Sequence, residues 1–124
     1  MEKNGWWEQP ASLEGDPQWA FHAFPFSPGG GAQMYAYDVD GDGDIDVLSA
    51  SFNDDKIAWY ENDGSEAFTP HTISTSADSA RSVFVADVDG DGDLDVLSAS
   101  VDGDKIAWYE HNATPTLDNI ADVI

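Results

Sequence analysis

Apolar and polar residues alternate along most of this chain, in short runs rich in Val, Ile, Phe, Tyr and Trp. A period of two marks a strand with one face buried. Gly, Asp, Asn, Ser and Pro separate the runs and supply turns. No stretch carries a convincing 3.6-residue apolar period, so the pattern predicts strands and no helix. Strands are expected over 82–86, with Val83 and Val85 on one face and Phe84 on the other, and over 95–100 and 105–110. Residues 68–74 form the outer strand of the unit before.

The pattern repeats. The stretch from Asp38 to Ser51 returns from Asp87 to Ser100, and Lys56-Ile57-Ala58-Trp59-Tyr60-Glu61 returns as Lys105-Ile106-Ala107-Trp108-Tyr109-Glu110. His22 matches His71, and Tyr35 matches Phe84, at the same 49-residue offset. A fixed period of this size marks a repeat architecture, and four short antiparallel strands per period describe a propeller blade. The expected fold is all-β, with about two four-stranded blades plus a fraction. Residues 1–18 form an N-terminal segment, in which Trp6-Trp7-Glu8 echoes Trp59-Tyr60-Glu61 as a worn third strand. Residues 19–74 hold unit 1 with a preceding outer strand, 75–111 hold unit 2, and 112–124 are a tail or a completing outer strand.

Closed propellers hold about 4–8 blades, so two cannot close a ring. Either the chain is part of a longer one or copies assemble through open blade faces into a ring or fibre. The strand at 19–24 is available to finish the blade 82–110 of another copy; residues 114–124 are the other candidate.

Charge narrows the partners. The 124 residues carry 25 Asp and Glu against four Lys and Arg, a net charge of -21. That opposes nucleic acid and anionic membrane surfaces and suits divalent cations. No run of 18 apolar residues exists to span a bilayer. There is no Cys, hence no disulfide framework and no thiolate metal site. The N-terminal residues lack the apolar stretch of a secretion signal.

Ten of the 25 acids sit in two loops. Asp38, Asp40, Asp42 and Asp46 occupy positions 1, 3, 5 and 9 of the first, and the carbonyl of Asp44 stands at position 7. Asp87, Asp89, Asp91, Asp95 and the carbonyl of Asp93 repeat the set. Gly41 and Gly43 permit the backbone angles of a tight turn. Asp and Gly also mark ordinary turns, but four crowded carboxylates repel one another unless a cation sits among them. Hard oxygen ligands select Ca²⁺, one ion per repeat, over transition metals and over Mg²⁺. Position 12 is Ser49 or Ser98 rather than the bidentate Glu of a helix–loop–helix calcium hand. The ion is expected to clip a hairpin.

The loop Asp-x-Asp-Gly-Asp-Gly-x-x-Asp, followed by Lys-Ile-Ala-Trp-Tyr-Glu-Asn and Phe-x-x-His-x-Ile, resembles the FG-GAP/VCBS repeat family over about residues 19–111. The resemblance implies calcium-binding β-propellers of the kind found in integrin α-subunit heads, fungal lectins and secreted or surface bacterial proteins. It implies that the loop aspartates named above are the calcium ligands and that the location is extracellular or at the cell surface. One departure is that Gly29-Gly30-Gly31-Ala32 stands where unit 2 has Asp78-Ser79-Ala80-Arg81, so the Arg common before the first strand is missing once.

The remaining residues read as structural. His22 and His71 recur with no repeated acidic or nucleophilic partner foreseen, and are expected to pack or hydrogen-bond at a blade edge. His111, in place of Asn62, is expected to be exposed. The strict recurrence of Trp59 and Trp108 favours blade packing, while Trp6, Trp7 and Trp19 suit a surface contact. Ser49, Ser51, Ser98 and Ser100 lack a His–Asp partner. Asn112-Ala113-Thr114 fits the N-glycosylation pattern. These features favour a non-enzymatic calcium-stabilised propeller module for extracellular structure or adhesion, partnered by copies of itself or further repeats. The alternative is a glycan-binding lectin-type propeller. An enzyme such as a lyase is least supported, because no acid/base constellation stands apart from the loops.

Overall fold

The computed structural model describes residues 5–24 and 31–111. Among them are nine strands and no helix: β1 (Gly5–Glu8), β2 (Ala20–Ala23), β3 (Gly31–Tyr37), β4 (Asp46–Ser51), β5 (Lys56–Asn62), β6 (Phe68–Ser74), β7 (Ala80–Ala86), β8 (Asp95–Ser100) and β9 (Lys105–Tyr109). They form a ribbon β1-β2, a central sheet β3-β4-β5-β6 and a C-terminal sheet β7-β8-β9. Every pairing is antiparallel, and the strands follow one another in chain order. These are partial and complete propeller blades, as the repeat predicted.

The 49-residue offset survives in the register. Tyr35 opposes Leu48 and Leu48 opposes Trp59; in the C-terminal sheet Phe84 opposes Leu97 and Leu97 opposes Trp108. The ribbon fits the same frame, since Trp6 opposes His22 as Trp59 opposes His71. Both histidines stack on their tryptophans, with ring centroids 4.3 and 4.6 Å apart. Pro70 is tolerated because β6 is an edge strand.

The core lies between sheets. Leu48, Ala50, Ile57 and Trp59 on one face of the central sheet meet Val83, Val85, Val96, Ala107 and Tyr109 of the C-terminal sheet. Val83 and Val85 are buried while Phe84, between them, is exposed, so the alternation read from sequence sets the face. The opposite face of the central sheet, Val47, Ala58 and Tyr60, packs against Phe24 and Phe68. This leaves β4 buried on both faces. Polar ties reinforce the stack. Gln33 Oε1 on β3 accepts from the Val83 amide at 2.6 Å and the Ser82 hydroxyl at 2.9 Å on β7, and Arg81 sits 4.3 Å over the Phe52 ring.

Several expectations need correction. β7 begins at Ala80, two residues early, because a bulge between Ala80 and Ser82 extends the pairing. β2 is paired with β1 within the chain, so the strand at 19–24 already has the expected Trp6-Trp7-Glu8 strand as a neighbour. His111 is buried, because its backbone is drawn in to Asp95. The tail 112–124, including Asn112, lies outside the described residues.

Candidate metal centre

Both aspartate loops join the first and second strands of their sheets, β3 to β4 and β7 to β8. Gly41 and Gly43 take φ of 77° and 95°, and Gly90 and Gly92 take 78° and 95°. These left-handed angles are why glycine alternates with aspartate here. The first aspartate of each loop gathers the turn. Asp38 Oδ1 accepts from the amides of Gly41 at 2.8 Å and Asp42 at 3.1 Å, and its Oδ2 from Gly43 at 2.9 Å. Asp87 makes the same three bonds, at 2.8, 3.1 and 3.0 Å. Asp40 and Asp42 each accept the amide two residues on, as Asp89 and Asp91 do.

The last aspartate of each loop has a second task. Asp46 is 0% exposed, and its two oxygens accept from Val39 at 2.9 Å and from Asn62 at 2.8 Å. Asp95 is likewise 0% exposed and holds Val88 at 2.9 Å and His111 at 2.8 Å. One buried carboxylate thus pins the loop to the end of the third strand.

Carboxylate oxygens of Asp38, Asp40 and Asp42 lie within 4.8 Å of one another, as do those of Asp87, Asp89 and Asp95 and those of Asp89, Asp91 and Glu110. The structure therefore brings together positions 1, 3 and 5 of one loop and 1, 3, 5 and 9 of the other, the last four as two overlapping groups. The side chains of Asp44, Asp46 and Asp93 fall in none of these three groups; Asp44 instead reaches the Gly64 turn, where an added Cβ would meet its Oδ2 at 2.7 Å.

Crowding shows in the acidities. Asp40 is pushed up to about 6, chiefly by loss of hydration, opposed by the Asp42 amide and aided by the charges of Asp46 and Asp42. Asp89 is also pushed up to about 6. Dehydration leads again, opposed by the Asp91 amide and aided by Glu110 and Asp91. Burial likewise raises Asp46 above the usual carboxylate range.

Residues 38–98 match the family described as an FG-GAP-like repeat. This stretch is similar to an FG-GAP-like repeat. No curated protein and no solved structure gives a significant match. The matched span runs from the first loop of one FG-GAP-like unit into the second strand of the next, so it contains both loops and the junction between the two sheets.

Two participants were missed in the sequence. Glu110 joins the second loop, whereas its counterpart Glu61 bonds His71 Nε2 at 3.1 Å. The signal was there, since the histidine found at 22 and 71 is replaced by Ile120 at the same offset. The acidic partner of the histidines was missed as well: Glu8 meets His22 at 2.8 Å, as Glu61 meets His71. The glutamate lies two residues past each tryptophan, where it faces the histidine from the neighbouring strand.

Proposed function

We propose that this chain is a non-enzymatic, calcium-stabilised β-propeller repeat module that serves extracellular structure or adhesion through association of blades. One observation carries the reading. Two loops, 49 residues apart, hold the same set of aspartates in the same hydrogen-bond frame, with three carboxylates converged in each. The donors are all hard oxygens, the chemistry that suits Ca²⁺. Asp38, Asp40, Asp42 and Asp46, with their unit-2 counterparts, would hold the ion, which neutralises the loop charge. The protein's own part is to fix the turn and anchor its base through Asp46 and Asp95. Both loops stand at the same end of packed sheets, so the clip acts on the stack.

The test is a calcium titration by calorimetry. Two ions per chain are expected, with a thermal midpoint that rises with calcium. Paired Asp42→Asn and Asp91→Asn changes should remove both effects. No heat and no thermal shift at about 1 mM calcium, within the range of extracellular sites, would refute the reading.

A second reading has one feature in its favour. A groove of ≈ 390 Å³ beside the ribbon is lined by Trp6, Phe24 and Phe68, with Asn62 and Glu66 also on its wall. Aromatic faces with a few polar groups suit a sugar ring. A glycan array that shows binding lost on Trp6→Ala would favour the lectin.

A further inference from the structure

Two indole nitrogens stand without a partner at the same place in both units. Trp59 Nε1 and Trp108 Nε1 are each shielded from solvent and find no acceptor within hydrogen-bond geometry. A buried donor left unsatisfied is costly and rare, and calls for an explanation. Two of them, 49 residues apart in one motif, are a property of the unit and not an accident of one contact. A phenyl ring would fill such a position without bringing a donor into it.

Strand register shows which acceptor lies at hand. Trp59 opposes Leu48, and Trp108 opposes Leu97. Asp46 and Asp95 stand two residues before these leucines. Residues two apart on a strand share a face, so each tryptophan has the last aspartate of its own loop as a diagonal neighbour. Such neighbours are about 7–8 Å apart, within reach of an aromatic side chain. In the first unit the indole already acts on the carboxylate. Burial weakens the acidity of Asp46; the Asn62 and Val39 amides oppose this, and the Trp59 side chain acts as a further donor in the same sense. Trp59 is thus aimed at Asp46 without closing a hydrogen bond to it. His71, stacked 4.6 Å away and bonded to Glu61 at 3.1 Å, holds the ring in that place.

The donor count at the aspartates fits. An ionised carboxylate offers about four acceptor positions. At Asp46 the Val39 and Asn62 amides take one on each oxygen, and at Asp95 the Val88 and His111 amides do the same. An indole N–H takes a third and leaves one for a cation. We propose that Trp59 and Trp108 are positioning residues of the two calcium loops: each indole N–H orients the buried carboxylate, Asp46 or Asp95, that its loop offers to the ion. This rests on the calcium reading above and names the residues that tune it. Donors that hold a metal-ligating carboxylate set its orientation, and losing one lowers metal affinity by about 10–100-fold.

Nuclear magnetic resonance of the indole N–H groups in the full chain tests this, with calorimetric calcium titration on the same samples. The chain has five Trp, and Trp59→Phe and Trp108→Phe assign the two resonances that matter. With calcium chelated, Asp46→Asn should move the Trp59 resonance and Asp95→Asn that of Trp108, each leaving the other in place. Calcium should shift both resonances in the parent chain, while those of the exposed Trp7 and Trp19 stay fixed. Trp108 is only half-buried, so Trp108→Phe is the variant expected to fold even where Trp59→Phe does not. It should lower calcium affinity at one site about tenfold or more and leave the other unchanged; a packing role alone would lower the thermal midpoint and leave the affinity as it was. Indole resonances indifferent to the Asp→Asn changes overturn the proposal, with or without calcium. Unchanged affinity in Trp108→Phe overturns it too and leaves the calcium reading intact. Resonances that answer to Asp→Asn in a chain that takes up no calcium remove the calcium reading, and the positioning role falls with it.

Discussion

Replacing Asp46 by Ala separates the two tasks of the loop. With calcium chelated, the carboxylate still accepts the amides of Val39 and Asn62 in a site with no solvent contact. Truncation leaves both donors without their acceptor. An orphaned buried donor costs about 1–3 kcal/mol, so the pair costs roughly 2–6 kcal/mol. Removing a carboxylate whose acidity burial has weakened returns part of that, and a net loss of about 2–4 kcal/mol is expected. With a urea slope of about 1–3 kcal/mol per molar, the midpoint should fall by roughly 1–2 M, read by tryptophan fluorescence. Asp42→Asn is the control. Its amide oxygen still accepts from Asp44 while one of the crowded charges is gone, so the chelated variant should hold or gain stability yet lose calcium binding. If Asp46→Ala unfolds within about 0.5 kcal/mol of the parent under chelation, the carboxylate is not an anchor, and its burial would have to be explained by the ion alone.

Three further outcomes follow from the same frame. Asp40 and Asp89 titrate near 6 in the folded, metal-free chain, above their ordinary value. Their contribution to stability is therefore full below the unfolded value and lost as pH rises through about 6, so the chelated chain should melt higher at pH 5 than at pH 7.5 as far as these groups decide, while calcium affinity moves the other way and falls as pH drops below 6. Trp59→Ala should cost about 3–5 kcal/mol in urea unfolding, and Trp108→Ala, on the half-covered face of the last sheet, clearly less; equal losses would mean that the sheets do not stack as described. Raising salt under chelation should raise the thermal midpoint, because a net charge of -21 opposes the compact state, and the gain should shrink once calcium is bound.

Much of this fold is legible because its signals are redundant. Strand faces follow from alternation, as at Val83, Phe84 and Val85. The turns follow from Gly41 and Gly43, whose positive φ no other residue adopts without strain. The 49-residue offset then assigns the register of one sheet from the other. What was harder to read depended on contacts distant in sequence. His111 looks like a surface substitute for Asn62, but the interaction at this position belongs to the backbone amide, which bonds Asp95 whatever the side chain. The glutamates that meet His22 and His71 lie 14 and 10 residues away and become neighbours only through strand pairing.

The same property explains why near-identical units do not have identical roles. Ile57 and Ile106 occupy the same place in the same motif, yet one is core and the other surface, because burial is conferred by the next sheet and not by the residue's own. Glu61 and Glu110 diverge for the same reason: where a histidine faces the strand, the glutamate turns to it, and where none of the described residues does, it turns toward Asp89 and Asp91. In a stack of this kind each unit encodes half of two interfaces. A residue's role is therefore set jointly by its place in the motif and by the sheet packed on it, as Ile57 and Glu61 show.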